Sequence, residues 1–304
     1  MAEIVAGIGV SHIPALGMAM SASAAPTEVF EKFAPVRDWV RELELDTMIV
    51  IYNDHGSAFS LEMLPTFAIG AAQSYAPADE GYGARDVPVP RGNVDLSWHL
   101  IDSVIPAGFD LTVCQKLDVD HGLTVPLTVL FASPADWPVD VVPLVVNVVQ
   151  QPTPTAQRCF DLGAAIGRAV ASFPSTARVG VVGTGGMSHQ LQGTRAGHIN
   201  TEFDQMFLDA MVNEPQRLTA MSNLELIKEA GSEGAELIMW LVMRGALRNP
   251  SVAHRSYHVP VSNTAAGILA LAESPATVAP IPGLSPAQLK DVERDGRGPA
   301  GVRS

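Results

Sequence analysis

A chain of 304 residues that is 47 % hydrophobic can bury a sizeable core, in one large α/β domain or two smaller ones. Its formal net charge of −13 argues against nucleic acid or an anionic membrane as partner, because both need basic patches. No long apolar span and no basic-plus-apolar leader are found, and two cysteines, Cys114 and Cys159, make no disulfide framework, so a soluble cytoplasmic chain is expected.

Ile4 to Val10 is an apolar run that ends in Ser11-His12. A small-residue loop follows from Ala15 to Pro26, and Pro35 then opens a helix whose apolar stripe is Val36, Trp39, Val40 and Leu43. Met48 to Tyr52 is a short β-branched run that stops in Asn53, Asp54, His55 and Gly56, the pattern of a buried strand in a parallel sheet. Ser74 to Asn93 is a long Pro/Gly-rich loop containing PADEGYG, of a length that is usually functional or disordered. After a helix over Asp95 to Ile105, Leu111 to Leu117 reads as a strand leading into Asp118, Asp120 and His121, with a helix starting near Val125-Pro126.

Val141 to Val149 is a further buried strand, and Ala156 to Phe173 an alanine-rich helix stopped by Pro174. Val179 to Val182 leads into GTGGMSHQ, which carries His189. From there the pattern turns helical: Ile199 to Val212, then Asn223 to Ala230 closed by Gly231, then Glu233 to Leu247 capped by Ser232. Ser256 to Val261 is expected as a last strand, followed by Ser262-Asn263-Thr264 and an apolar helix over Ala265 to Ala272. Strands alternating with helices predict an α/β fold with a largely parallel central sheet flanked by helices, in one domain over residues 1–272. The Pro/Gly-rich residues 273–304 are expected to form a loose tail.

Half of the eight histidines thus follow directly after a predicted strand, where open α/β sheets bind ligands. Imidazole is both a common metal ligand and the usual general base near neutral pH. His12 and His55 are candidates for two imidazole ligands, and Asp54, Asp118, Asp120, Glu233 and Glu236 for a carboxylate beside them. Glu236 stands out because it opens the apolar stretch LIMWLVM, where a carboxylate is costly unless paired or metal-bound. Two histidines and one carboxylate suit the facial triad of non-haem Fe(II) enzymes, and zinc hydrolases use the same donors. Asp54 has a second reading as a turn former. Gly183 to Ser188 nearly satisfies G-x-G-x-x-G, but no second βαβ unit follows, so its glycines are better read as letting the backbone pass close to a ligand or metal. No G-x-S-x-G elbow is present. His99, His198, His254 and His258 are read as structural.

SHIPALG (Ser11 to Gly17), YNDHGSAF (Tyr52 to Phe59), DVDHGLTVPL (Asp118 to Leu127), GTGGMSHQLQG (Gly183 to Gly193) and GSEGAELIMWLVMRGAL (Gly231 to Leu247) together resemble the class III extradiol catechol dioxygenases, most closely the catalytic β subunits of the protocatechuate 4,5-cleaving branch. The resemblance runs from about residue 4 to about residue 272 and implies the LigB-like fold of that family. It further implies Fe(II) held by His12, His55 and Glu236, with His189 as the acid–base residue and His121 beside the substrate hydroxyls. Ser262 and Asn263 resemble the segment that holds the substrate's ring carboxylate. The implied reaction is ring cleavage beside the diol of a catechol-type aromatic acid by O2: protocatechuate, or gallate or another catechol, in aromatic catabolism. A metal-dependent hydrolase and a metal-free binding protein on the same fold are the alternatives. The loop from Ala15 to Pro35 is shorter than in the protocatechuate enzymes, so either a separate small α subunit, as in a heterotetramer, or a homodimer is expected to close the site.

Overall fold

The computed structural model describes residues 1–14, 31–132, 135–259 and 263–274. Its centre is an eight-stranded sheet in the order β4-β3-β5-β2-β6-β1-β8-β7. The strands are β1 (Glu3–Val10), β2 (Thr47–Tyr52), β3 (Phe67–Gly70), β4 (Thr112–Cys114), β5 (Asp140–Val146), β6 (Arg178–Thr184), β7 (Pro250–His258) and β8 (Ala266–Glu273). The middle of the sheet, β5-β2-β6-β1, is parallel throughout, and β3 pairs parallel with β4. The β3/β5, β1/β8 and β7/β8 pairs are antiparallel.

Every residue of β2 is buried. Ile49 and Ile51 enter one core cluster, and Met48, Val50 and Tyr52 enter the other, so the two-residue period of the strand feeds a layer on each face. One layer holds α2 (Val94–Val104), α4 (Ala156–Ser172), α5 (Thr201–Asn213) and α8 (Leu237–Ala246), with α6 (Pro215–Thr219) and α7 (Asn223–Ala230) at its edge. The other is built by α1 (Ala34–Glu42) and α3 (His121–Phe131). All ten residues of α8 are buried. Trp240 lies against the sheet where β1 and β6 carry Gly9 and Gly183: a Cβ at Gly9 would stand 2.2 Å from the indole, and one at Gly183 2.8 Å from the Trp240 backbone. Those two glycines let α8 approach the sheet closely enough to bring Glu236, the residue before it, to the strand ends.

Several boundaries differ from expectation. The run Ala265 to Ala272, read as a helix, is β8, paired between β1 and β7. It is apolar on both faces, so it carries no period to separate a buried strand from a buried helix. The strand expected over Ser256 to Val261 begins earlier, at Pro250. The strand expected over Leu111 to Leu117 shortens to Thr112–Cys114, and β3 was not anticipated, being only four residues long. Helix α3 starts at His121 because Asp120 caps it, and Pro126, taken for its first turn, lies inside it. Glu233–Glu236 is a 3₁₀ turn ahead of α8, and Ser232 makes no side-chain cap there. The expected small-residue loop is outside the described residues, as is the tail from residue 275 on.

Candidate metal centre and active site

Strands β2, β6 and β1 are neighbours and run parallel, so their carboxyl ends open on the same side of the sheet. His12 lies two residues past β1, His55 three past β2 and His189 five past β6. Sheet order alone therefore gathers three of the predicted histidines, and the 3₁₀ turn ahead of α8 supplies Glu236. The ring centroids of His12 and His55 are 5.2 Å apart. His12 Nε2 lies 3.3 Å from one Glu236 oxygen and His55 Nε2 3.9 Å from the other, with His189 Nε2 at 3.8 Å.

Each imidazole is oriented through its other nitrogen. His12 Nδ1 is 3.0 Å from the Thr184 hydroxyl at the end of β6. The His55 backbone N–H and Nδ1 both donate to Asp120 Oδ2, at 2.7 and 2.9 Å, while Asp120 Oδ1 caps α3 through the Gly122 N–H. A fully buried carboxylate thus starts a helix and fixes a histidine at once. In the neutral ring His55 Nε2 then carries a lone pair, 3.1 Å from the Asn53 amide. His189 Nδ1 donates to the Met187 carbonyl at 2.7 Å, and since a carbonyl only accepts, neutral His189 presents a bare Nε2. Glu236 accepts the Gly186 N–H at 2.7 Å. Gly185, at φ +123, leaves room for the carboxylate's stem, because a Cβ there would fall 2.7 Å from Glu236 Cβ. The glycines of GTGGMS therefore pass close to Glu236.

His121, expected beside the diol, lies among the other histidines of the cluster. It stacks on His55 with centroids 4.0 Å apart, and one nitrogen each of His12, His55 and His121 lie within 4.8 Å of one another. The backbone bridge between His189 and Thr264 brings Asn263, which is exposed, next to the strand-end histidine. Ser262 lies outside the described residues. Of the other carboxylate candidates, Asp54 accepts three backbone N–H groups (Gly56, Ala58 and Phe59), which bears out its reading as a turn former. Asp118 is exposed, and Glu233 binds Leu191 N–H and the Ser232 hydroxyl. His99 and His198 bond backbone carbonyls, His254 meets Trp39 edge-on and His258 meets Lys32.

Two contributors were missed. Asp120 was weighed only as a ligand and is the partner of His55. Glu80, in the PADEGYG loop, accepts His121 Nδ1 at 2.5 Å. The loop's length was the only sequence signal for it.

The electrostatics follow from burial and pairing. Burial would raise the Glu236 carboxyl, but His12, His189 and His55 around it hold it far below the ordinary carboxylate range. Burial pushes His12 below its usual value against the pull of Glu236, so it is neutral. Burial also acts downward on His55, and there Asp120, Glu236 and Glu80 overcome it and leave the ring above its usual value. Asp120 and Glu80 are each raised by burial and more strongly lowered by their histidines, His55 and His121.

The description "Catalytic LigB subunit of aromatic ring-opening dioxygenase" matches residues 6–268. The chain belongs to that family. With the LigB family come its mostly parallel α/β architecture and its enzyme class, the extradiol ring-cleaving dioxygenases. A gallate dioxygenase from Pseudomonas putida (strain KT2440) is 43 % identical over 205 residues, which is 67 % of this chain and 60 % of that protein, so the chain spans less than two thirds of that relative. A 2,3-dihydroxyphenylpropionate/2,3-dihydroxicinnamic acid 1,2-dioxygenase from Cupriavidus necator is 29 % identical over 88 % of this chain and 97 % of its own length. An uncharacterized Escherichia coli K12 protein of solved structure shares the fold, with a TM-score of 0.57 at 12 % identity over 88 % of this chain and 99 % of its own. Among the described residues, no helix is long and apolar enough to cross a membrane.

Proposed function

We propose that this LigB-family chain uses Fe(II), held by His12, His55 and Glu236, to cleave a catechol bearing a ring carboxylate beside its diol. The observation that carries this reading is His12 Nε2: a buried nitrogen on a neutral ring, without a hydrogen-bond partner, 3.3 Å from an ionised carboxylate. Leaving such an atom unpaired costs about 1–3 kcal/mol, and a cation between it and Glu236 satisfies both. Two imidazoles and a carboxylate leave one side of the ion open, and the partly exposed face of His55 marks that side.

His121 is a competing third ligand on proximity alone. Its ring stacks on His55, 28° from parallel with centroids 4.0 Å apart, so the two rings meet face to face. Ligand lone pairs must instead converge on one atom at about 2.1 Å. His121 would therefore stand next to a bound ion, where its free nitrogen could accept a hydroxyl proton from the diol.

Bound Fe(II) would lower the phenolic pKa of the diol and couple the ring electronically to dioxygen. His189 Nε2 takes the second phenolic proton and returns it to oxygen as the ring opens, both atoms of O2 entering the product. Asn263 and Ser262, in the segment that resembles the family's carboxylate-holding stretch, would meet the ring carboxylate. Protocatechuate, opened to 4-carboxy-2-hydroxymuconate semialdehyde, is the substrate implied by the sequence. The gallate dioxygenase relative favours gallate, which differs by one hydroxyl.

The test is anaerobic loading with Fe(II), then oxygen uptake and the absorbance of the ring-opened product (a semialdehyde for protocatechuate, an acid for gallate, a ketone for 2,3-dihydroxyphenylpropionate) with each of the three diols. One O2 consumed per ring with a benzoate diol favoured is the expected result. Retention of zinc but not iron, with no oxygen uptake on any diol, would overturn it. Gel filtration with activity measured on each peak separates a self-sufficient homodimer from a chain that needs a small α subunit.

A further inference from the structure

Glu80 lies 41 positions before His121, in the loop from Ser74 to Asn93, and it grips that residue at two points. Its Oε2 is 2.5 Å from His121 Nδ1, and its Oε1 accepts the His121 backbone N–H at 3.0 Å. Only 9 % of its side chain is exposed. The loop is itself tied down around this contact. Ala78 N–H bonds the Val119 carbonyl and Val119 N–H the Ala76 carbonyl, which staples the loop to the residues just ahead of α3. Asp79 closes the following turn by accepting Gly81 and Gly83 N–H, and the Tyr82 hydroxyl donates to Glu80 Oε2.

An ionised carboxylate only accepts, so the nitrogen it binds must carry the proton. Holding Nδ1–H leaves Nε2 of neutral His121 as an acceptor, and with Nδ1 taken by Glu80, Nε2 is the nitrogen left for the cluster. Asp120 does the same to His55, so the two stacked rings carry parallel carboxylate partners and the same tautomer. The pairing differs in origin. Asp120 serves His55 from the start of a helix, whereas Glu80 reaches His121 from a loop 41 positions earlier in the chain.

We infer that Glu80 is a positioning residue of the active site, which fixes His121 as an Nε2 acceptor for a hydroxyl of the bound diol. The orientation of His121 follows from the hydrogen bonds alone; its use on a diol rests on the ring-cleavage reading above.

The experiment is done first on metal-free protein labelled with 15N histidine. In the wild type, the ring nitrogens of His121 (assigned by loss of its signals in His121→Gln) should show a protonated Nδ1 and a bare Nε2. In Glu80→Gln, which puts an NH2 donor where one of the two accepting oxygens stood, that signature should move toward Nε2–H. A wild-type ring already protonated at Nε2, or a Glu80→Gln ring unchanged from wild type, overturns the inference without any assay of turnover.

In the iron-loaded enzyme, Glu80→Gln should keep its iron content while kcat/KM for the diol falls about ten- to a hundredfold, the range for removing the carboxylate behind a functional imidazole. Loss of iron together with activity would make His121 a ligand and overturn its role as an acceptor for the diol. If the ring signature shifts as expected but wild-type protein cleaves no diol, the ring-cleavage reading fails and the Glu80 clamp stands.

Discussion

Replacing Asp120 by Asn probes the site without touching a proposed ligand. Asp120 is fully buried and accepts from Gly122 N–H at 2.9 Å, His55 N–H at 2.7 Å and His55 Nδ1–H at 2.9 Å. Asparagine keeps the carbonyl that caps α3, but its amide NH2 now faces two donors. The ring can relieve one clash by moving its proton to Nε2, the nitrogen needed for iron. Losing the outer partner of a ligating histidine costs about 10–100-fold in metal affinity, or roughly 1.4–2.7 kcal/mol. The stranded His55 backbone N–H adds about 1–3 kcal/mol of lost folding stability. Anaerobic Fe(II) titration measures the first loss, and thermal unfolding of metal-free protein the second. An Asn variant that binds Fe(II) as tightly as wild type would refute the claim that Asp120 sets the His55 tautomer.

The same pair shapes the pH response. Asp120 is held below its usual value, so its contribution to metal-free stability is complete above roughly pH 4 and is lost as pH falls through the folded value. His55 is held above its usual value, so its contribution is complete below about pH 6.5 and is lost as pH rises through the folded value. Denaturant midpoints should therefore peak between those limits in the wild type and flatten at both shoulders in Asp120→Asn. Iron uptake should release a proton from His55 and weaken as pH falls, which calorimetry in buffers of different ionisation heat can check. His55→Ala should lose iron and turnover together, while His189→Phe should keep iron by metal analysis and lose most ring cleavage; an iron-free His189→Phe would make His189 a ligand. Gly185→Ala forces a Cβ against Glu236 in a backbone region that costs a side chain about 1–3 kcal/mol, so both melting temperature and iron content should drop.

What the sequence made legible was the grammar of the parallel strands. β1, β2 and β6 are short apolar runs that stop in polar residues, and a parallel sheet sends those stops to one side. That grammar put His12, His55 and His189 on one rim of the sheet, and the apolar stretch after Glu236 marked the carboxylate. Runs buried on both faces were the harder case, since β8 has no polar residue among its first six to betray its period. Partners across the chain were illegible for another reason. Glu80 and Asp120 act through contacts set by loop conformation, and a carboxylate that anchors a histidine looks in sequence like any other acidic loop residue.

Because β6 separates β1 from β2, the strands bearing His12 and His55 stand two ladder spacings apart, about 9–10 Å. The two rings nevertheless approach to 5.2 Å, so both connections lean inward across the tip of β6, where His12 meets Thr184. That tip and the two residues after it, Gly183 to Gly186, are almost bare of side chains. It acts as a low saddle over which two arms close, and the width of the grip is set by how little stands on the saddle. Bulk added there would spread the arms, so the capacity to hold a small ion depends on residues that never touch it.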